Sequence, residues 1–282
     1  MLAVNCLAAA MMIKGIHAVK YVVTNTAGST PGGVRFNKDI GAEYSRRTLI
    51  SATEFIWRVF QQNCAAERKD SVPKITLIVE DIDGVAYASN NEIHVSARYI
   101  GSYTGDVKRE ITGVLYHETT HIWQWNGNGQ TPGGLIEGIA DFVRLKAGYD
   151  PSHWVKPGGG NRWDQGYDVT ARFLDYCNDL RNGFVAELNK KMRTGYSDNF
   201  FVELLGKTVD QLWSPDEGPR PGVQVPDRDD SVRIIVLSGS GRAFCSGVDL
   251  AAAEDVFKCD VMDLKSDPVE QMGRCRSRYS AL

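Results

Sequence analysis

Two histidines and a glutamate stand close together in residues 116–123, as His117, Glu118 and His121. On a helix, the four-residue spacing of the histidines places both imidazoles on one face. Two neutral imidazoles so placed can each give one nitrogen to a zinc ion. Glu118 is suited to take a proton from a zinc-bound water. The stretch predicts part of a hydrolytic metal site; the alternative is two surface histidines beside an ordinary glutamate.

A hydrolytic zinc site usually has three protein ligands and one open position. The best third candidate is Glu137, because residues 134–141 show apolar residues at helical spacing. Asp141 follows four residues later, which suits it to accept the N–H of a ligand imidazole. The alternative is two solvated carboxylates on a surface helix. The three-histidine pattern HExxHxxGxxH is absent, since Gln124 and Gly127 occupy its glycine and histidine positions.

The elements that must position these residues are predicted from hydrophobic periodicity. Asp106 is the expected N-cap of the HExxH helix, and Gly148 is the expected stop of the Glu137 helix. The pattern predicts an α+β fold, in which a small mixed sheet is followed by a helical half that carries HExxH. The predicted strands are 20–24, 74–79 and 92–96, and the other predicted helices are 38–62, one opened by Tyr167, 182–192, 199–205 and 208–213.

Several stretches closely resemble the plant basic secretory protein family, which belongs to the HExxH metallopeptidases. The resemblance implies a zincin-like fold and a secreted, zinc-dependent endopeptidase of the apoplast with a role in plant defence. It also makes Glu137 the expected third zinc ligand. The alternative is a non-catalytic extracellular defence or binding protein that keeps the fold. The resemblance covers about residues 21–213, and its matching stretches are 29–36, 52–57, 89–94, 116–129, 134–146 and 163–168.

Two residues gain further expected roles beside this resemblance. Zinc peptidases often place a tyrosine opposite the metal, and the Tyr167 O–H is the candidate donor to the reaction's oxyanion. A tyrosine of the core is the equal alternative. HExxH peptidases often use the strand before the metal helix as an edge that binds extended substrate. The resemblance suggests this role for 92–96, where His94 could contact substrate, unless it simply faces solvent.

Composition narrows the class of partner. The chain has 282 residues, a net charge of −3 and 43% hydrophobic residues. It can therefore bury a substantial core, and it has no basic excess that would indicate nucleic acid. No stretch is apolar for long enough to predict a membrane span. The expected partner is a peptide or protein substrate, and the sequence leaves the oligomeric state open.

The N-terminal segment and the cysteines indicate the cellular compartment in which the protein is expected. Residues 1–18 are apolar and end in Ala18, which predicts a signal peptide. It is an atypical one, because no Lys or Arg precedes the apolar run and Lys14 interrupts it. The six cysteines form no CxxC pair, which argues against a structural zinc ribbon. Cys64 and Cys177, in the peptidase-like region, predict either one disulfide or two unpaired thiols.

The chain changes character at Ser214. Prolines and glycines crowd residues 214–228, which predicts a linker after a peptidase domain of 19–213. Residues 227–276 resemble the crotonase family, in its dienoyl-CoA isomerase branch, and the resemblance places Val248 where a backbone N–H holds a thioester oxyanion. The rest of that active site and most of that fold are missing. Residues 229–282 are therefore expected to be a poorly ordered fragment without acyl-CoA activity.

Overall fold

Residues 19–214 are described by the computed structural model. The predicted signal peptide, the linker after Ser214 and the crotonase-like fragment with Val248 lie outside the described residues. The domain boundaries assigned to them remain predictions. Among residues 19–214, no helix is both long and apolar enough to cross a membrane.

The strands of the described residues form one mixed sheet in the order β1-β2-β4-β3. Strands β1 (Lys20–Asn25), β2 (Lys74–Glu80) and β4 (Glu92–Ser96) are parallel, and β3 (Ala86–Ser89) pairs antiparallel with β4. Alternation along a strand sends every second side chain to one face. That face supplies the sheet's part of the core, with Ile75, Leu77, Val79, Ile93 and Val95 fully buried.

The prediction that 92–96 forms an edge of the sheet is wrong, because β4 pairs with β2 on one side and β3 on the other. The edge strand beside β4 is β3, which the sequence did not reveal because two of its four residues are alanine, a poor strand former. The available signal was the turn between β3 and β4. Asn90 and Asn91 have φ angles of 52° and 64°, and two positive φ angles are typical of a tight hairpin turn.

The predicted helices are confirmed, with shifts at their ends. The predicted helix 38–62 begins only at Ala42, because Gly41 has a φ of 82° and ends a π-helical turn over Phe36–Ile40. The first and third helices were not predicted. The helices are α1 (Pro31–Arg35), α2 (Ala42–Val59), α3 (Ala97–Ser102), α4 (Val107–Trp123), α5 (Gly133–Lys146), α6 (Tyr167–Leu180), α7 (Phe184–Lys191), α8 (Asn199–Leu205) and α9 (Val209–Trp213).

The N-cap prediction for α4 is confirmed: Asp106 accepts a hydrogen bond of 2.9 Å from the backbone N–H of Arg109. Such a cap satisfies a backbone donor that the first turn leaves free. Helix α5 ends at Lys146, and Gly148 follows with a φ of 77°. These ends fix where the histidines of α4 and the carboxylates of α5 stand along their helices.

Helix α4 is buried along most of its length and packs against α2 and α5. Helix α5 in turn lies very close to α6 and the segment before it. A Cβ on Gly134 would lie 1.9 Å from the carbonyl oxygen of Asp164, and one on Gly138 would lie 2.2 Å from Thr170. Only glycine permits these approaches. They bring the start of α6 beside Glu137.

The two cysteines of the described residues are free, so the disulfide alternative is wrong. Cys64 is exposed in the loop after α2, whereas Cys177 is buried on α6. Burial raises the pKa of the Cys177 thiol, which makes it an inert core residue.

Candidate functional site

Three donor atoms from two helices meet at one place. The Nε2 atoms of His117 and His121, on successive turns of α4, lie 3.0 Å apart. Oε2 of Glu137, on α5, lies 3.1 Å from Nε2 of His117 and 3.5 Å from Nε2 of His121. All three residues are partly or wholly buried, and together they could hold a metal ion.

Asp141 orients the first histidine. Its Oδ1 lies 2.6 Å from Nδ1 of His117, and both side chains are buried. Since a carboxylate can only accept, Nδ1 donates its proton to Asp141, and Nε2, which lies against Glu137, is the nitrogen left for a metal ion. The pair therefore fixes the tautomer that a metal ligand needs.

The second histidine has a different support, which the sequence did not reveal. Nε2 of the Gln124 carboxamide lies 2.7 Å from Nδ1 of His121, and Oε1 of Gln124 is buried without a partner among the described residues. An amide that donates to Nδ1 leaves the proton of His121 on Nε2. An amide rotated by a half turn would accept from Nδ1–H and free Nε2 for a cation. The available signal was the three-residue spacing, which places Gln124 on the same helix face as His121.

Glu118 is buried in the same wall. Its Oε2 has no hydrogen-bond partner among the described residues. A buried carboxylate oxygen without a partner carries a desolvation cost, so a water molecule or a substrate group is expected to bind there. Burial raises the pKa of Glu118, and the two nearby imidazoles oppose that effect. The residue is thus a stronger base than an exposed glutamate.

The electrostatics of the site favour a cation at its centre. Three carboxylates, those of Glu118, Glu137 and Asp141, surround the two imidazoles. Burial lowers the pKa of His117, but its hydrogen bonds with Asp141 and Glu137 outweigh burial and raise it to about 10. Burial raises the pKa of Glu137, and the bonds from the imidazoles outweigh it and hold that pKa far below its ordinary value. The raised pKa of His117 and the lowered pKa of Glu137 both mean that the site stabilises a positive charge beside its carboxylates.

These groups line a cavity of about 870 Å³ that follows one face of α4. Glu110, Val114, His117, His121 and Gln124 all line it, and their spacing of three or four residues forms a single stripe. From first to last the stripe spans roughly 21 Å at 1.5 Å per residue. That length accommodates several residues of an extended peptide.

The edge strand β3 lies across the cavity from α4. Val85, Ala86, Tyr87 and Ala88 all line the cavity, and Val85 and Tyr87 are exposed. An edge strand presents unpaired backbone groups to an incoming chain. The cavity therefore has a strand edge on one side and the metal-ligand candidates on the other.

Tyr167 stands at the opening of the cavity, and the reading as a core tyrosine is wrong because it is 58% exposed. Its ring lies nearly parallel to that of His117, with centroids 6.2 Å apart. Its φ is 46°, a strained value for an aromatic residue, and Gly166 before it has a φ of 101°. Strain of this kind often marks a functional position.

His94 is not among the residues that line the cavity. Its Nδ1 lies 2.6 Å from Oε1 of Glu80, and its ring stacks on Tyr87 at a centroid distance of 4.5 Å. The side chain is 15% exposed, so it does not simply face solvent either. Its nearest link to the cavity is Tyr87, which it holds in place.

Other lining residues were not predicted as part of a site. At the end near the start of α4 the wall includes Tyr99, Arg144 and Trp154. At the end near Gln124 it includes Lys69. These side chains come from segments far apart in the chain, so no local pattern connects them.

The sequence is similar to known proteins over short stretches. The chain is 54% identical over 52 residues to the basic secretory protease of Boswellia serrata, a match of 18% of this chain and 56% of that protein. It is also 62% identical over 50 residues to probable enoyl-CoA hydratase 1, peroxisomal, of Arabidopsis thaliana, a match of 18% of this chain and 19% of that protein.

The second match accords with the crotonase resemblance and is only partial. The chain spans about half the length of the first relative and a fifth of the second. No solved structure matches the sequence. The family model described as a peptidase of plants and bacteria matches residues 16–215, which is most of the chain, and the protein therefore belongs to this basic secretory peptidase family.

Proposed function

We propose that the protein is a zinc-dependent endopeptidase of zincin-like fold. The observation that carries the proposal is the convergence of His117, His121 and Glu137 on one point of a cavity. Membership of a peptidase family supports it, and the named relative from Boswellia serrata is itself a basic secretory protease.

The donor set fits zinc. Ligand atoms of a tetrahedral zinc ion with bonds of about 2.0–2.2 Å lie roughly 3.3–3.6 Å from one another. The three separations among His117, His121 and Glu137 run from 3.0 to 3.5 Å, so small side-chain shifts suffice. Two imidazoles and a carboxylate are a frequent ligand set of hydrolytic zinc, with a fourth position left for water.

Each side chain has a specific task in peptide hydrolysis. A zinc ion held by these ligands would supply Lewis-acid chemistry and would make a neighbouring water easier to deprotonate near pH 7. Glu118 takes a proton from the attacking water as its oxygen adds to the peptide carbonyl. Glu118 then delivers the proton to the leaving amine, so it acts first as base and then as acid. Asp141 holds the tautomer of His117 throughout.

Tyr167 is assigned to the oxyanion. Its exposed side chain lines the cavity next to Glu137, whose negative charge is the main reason that the pKa of Tyr167 is raised. The phenol therefore keeps its proton and can donate it in a hydrogen bond to the carbonyl oxygen as negative charge develops. Loss of one such donor typically lowers kcat by about a hundredfold or more.

Substrate is expected to lie along β3, in the role first assigned to 92–96. The edge of β3 can pair with an extended peptide, which adds a strand to the sheet. Val85 and Tyr87 supply exposed apolar surface beside that edge, while the metal-ligand candidates line the same cavity from α4 and α5. This arrangement suits cleavage within a chain, since both ends of the cavity continue past the ligands.

Secretion to the apoplast and a defence role are part of the proposal. All of this rests on the family resemblance, and the name of the Boswellia relative supports secretion alone. The competing candidate is a non-catalytic extracellular protein with the same fold. Acyl-CoA chemistry is not proposed, because the enoyl-CoA hydratase match covers 19% of that enzyme.

The direct test is a Glu118→Gln variant of the full chain. Zinc content by elemental analysis should stay at one ion per chain, because Glu118 is not a proposed ligand. Hydrolysis of a denatured protein substrate should fall by at least about a hundredfold, the usual contribution of general acid–base catalysis. The matched control is Glu54→Gln, at an exposed position of α2, which should leave the rate unchanged.

Two results would contradict the proposal. Full activity in the Glu118→Gln variant would show that Glu118 is not the general base. Stoichiometric zinc in the wild-type protein with no cleavage of any denatured protein would favour the non-catalytic alternative. Removing zinc with a chelator should abolish hydrolysis, and adding zinc back should restore it.

A further inference from the structure

We infer that Lys69 is a receptor for a substrate carboxylate, a specificity-determining residue at one end of the cavity. The inference rests on the proposed peptidase function and names the substrate class for it. The carboxylate can come from an acidic side chain or from the C-terminus of a peptide, since both present the same chemistry.

The first observation is that Lys69 lines the cavity without a carboxylate to neutralise it. Among residues 19–214, its side chain has neither a hydrogen bond nor an ion pair, and its Nζ lies 5.7 Å from the centroid of the Trp125 ring. The side chain is half-buried, and it lines the cavity rather than the outer surface. An ammonium with three donors that no protein acceptor uses can bind an anionic group that enters the cavity.

The second observation is that the lysine is held in place. Arg68, just before it, lies over the ring of Trp57 at 3.6 Å and donates to the carbonyl of Gln62. Arg193 donates to the carbonyl of Ala66 in the same loop. The loop is thus pinned on the side that leads to Lys69, and a receptor fixed in advance loses little freedom on binding.

The third observation concerns the surrounding charge. Arg193 lies over the same Trp125 ring, with its guanidinium carbon 5.1 Å from the centroid. Two cations on one ring increase the positive field that an incoming anion meets. The carbonyl oxygen of the neighbouring Asn126 side chain accepts from the backbone N–H of Gly129, so that oxygen is already engaged.

Lys69 lies to one side of the metal-ligand candidates. Helix α4 ends at Trp123, and Trp125, whose ring Lys69 faces, follows just past that end. The carboxylate bound by Lys69 is therefore expected on one side of the scissile bond, at a position that a scan along the peptide locates.

The test uses peptides that differ only in one carboxylate. Aspartate or glutamate is placed at each position in turn, asparagine or glutamine is its matched counterpart, and every peptide is made with a free and with an amidated C-terminus. The wild-type enzyme should cleave the best carboxylate peptide about 10- to 100-fold more efficiently, in kcat/KM, than its carboxamide counterpart. The position of the effect separates the two sources: a fixed internal position indicates a side chain, and loss on amidation indicates the terminus.

Variants assign the effect to this residue. Lys69→Met should bring the carboxylate-to-carboxamide ratio close to one, and Lys69→Glu should invert it. The control Lys74→Met, at an exposed position at the start of β2, should keep the wild-type ratio. A ratio that survives in Lys69→Met overturns the inference, as does a wild-type ratio near one.

Binding separates this inference from the proposed function. The same peptides are titrated by calorimetry into the Glu118→Gln protein, with and without Lys69→Met. If the wild-type protein hydrolyses nothing but its binding favours carboxylates through Lys69, the peptidase proposal fails and the receptor stands. If hydrolysis proceeds and neither rate nor binding responds to Lys69, the receptor fails alone.

Discussion

The two ends of the cavity differ in whether their charged side chains are paired. Near the start of α4, Glu110 accepts from Arg144 at 2.9 Å and from the Tyr99 hydroxyl at 3.0 Å. Arg144 also donates to the carbonyl of Tyr149. Near the end of α4, Lys69 lies over Trp125 and has no counter-ion among the described residues.

This difference separates structural charges from available ones. In a buried ion pair each charge is already neutralised by its partner, so the pair attracts a ligand less than a single charge does, and it connects the elements that carry its members. Glu110 lies on α4 and Arg144 on α5, so the pair joins the two helices of the metal site. Gly113 permits it, because a Cβ there would lie 2.6 Å from Nε of Arg144. Lys69 has no charged partner among the described residues, so its ammonium is available to an anionic ligand.

The largest effect is expected from breaking the paired end. Arg144→Met leaves the Glu110 carboxylate buried without its partner, and such a change costs about 3–5 kcal/mol. The free energy of unfolding, measured by urea denaturation, should fall by that amount. Lys69→Met at the other end should cause no such loss.

A double variant distinguishes the loss of charge pairing from the effect of changing the size of the Arg144 side chain. Adding Glu110→Gln to Arg144→Met removes the uncompensated charge and should recover part of the lost stability. If the single and double variants are equally unstable, the pair has no special role, and the contrast between the two ends fails.

The next effect lies between the ends, where each histidine has its own support. Asp141→Asn replaces an ionised acceptor of His117 by a neutral one, and changes of this kind weaken metal affinity by about 10- to 100-fold. Gln124→Leu removes a neutral partner from His121 and should weaken it by about tenfold or less. Competition for zinc against a chromophoric chelator measures both. A larger loss in Gln124→Leu would reverse the assignment of the stronger support to His117.

Local sequence patterns were sufficient for the ligand candidates. His117 and His121 are four residues apart on one helix, and Glu137 and Asp141 are four residues apart on another. Each pair therefore lies on one face of its helix, whatever the tertiary fold. The capping residue Asp106 and the apolar stripe of α4 also act within a few residues of sequence. For these reasons the two helices, and the side on which their ligands stand, were predictable.

The pairings across the cavity were not predictable, because they depend on tertiary contacts. Arg144 meets Glu110 across 34 residues of sequence, and nothing near Lys69 indicates that it lines a cavity with α4. The order of the strands was missed for the same reason. A periodic pattern identifies β4 as a strand, but only its partners show that β3 forms the edge.

The smallest effect is the pH dependence of stability at the open end. Burial holds the pKa of Lys69 at about 8 in the folded protein, against 10.5 for an exposed lysine. Below pH 8 both the folded and unfolded chains carry the proton, so the full cost of the buried charge is present. Between pH 8 and pH 10.5 the unfolded chain binds more protons, and this contribution to stability rises with pH. Above pH 10.5 both are neutral and the cost is gone.

Comparison with Lys69→Met isolates that contribution, because other titrating groups contribute equally to both proteins. The stability of the wild type relative to the variant should rise by about 1–2 kcal/mol between pH 8 and pH 10.5, a value reduced for partial exposure. Urea denaturation at several pH values measures it, and Lys74→Met, at an exposed lysine, should show no such change. A constant difference between the wild type and Lys69→Met would mean that Lys69 is solvated as an ordinary surface residue. The charged side chains at the two ends of the cavity would then differ in pairing, but the Lys69 ammonium would carry no desolvation cost.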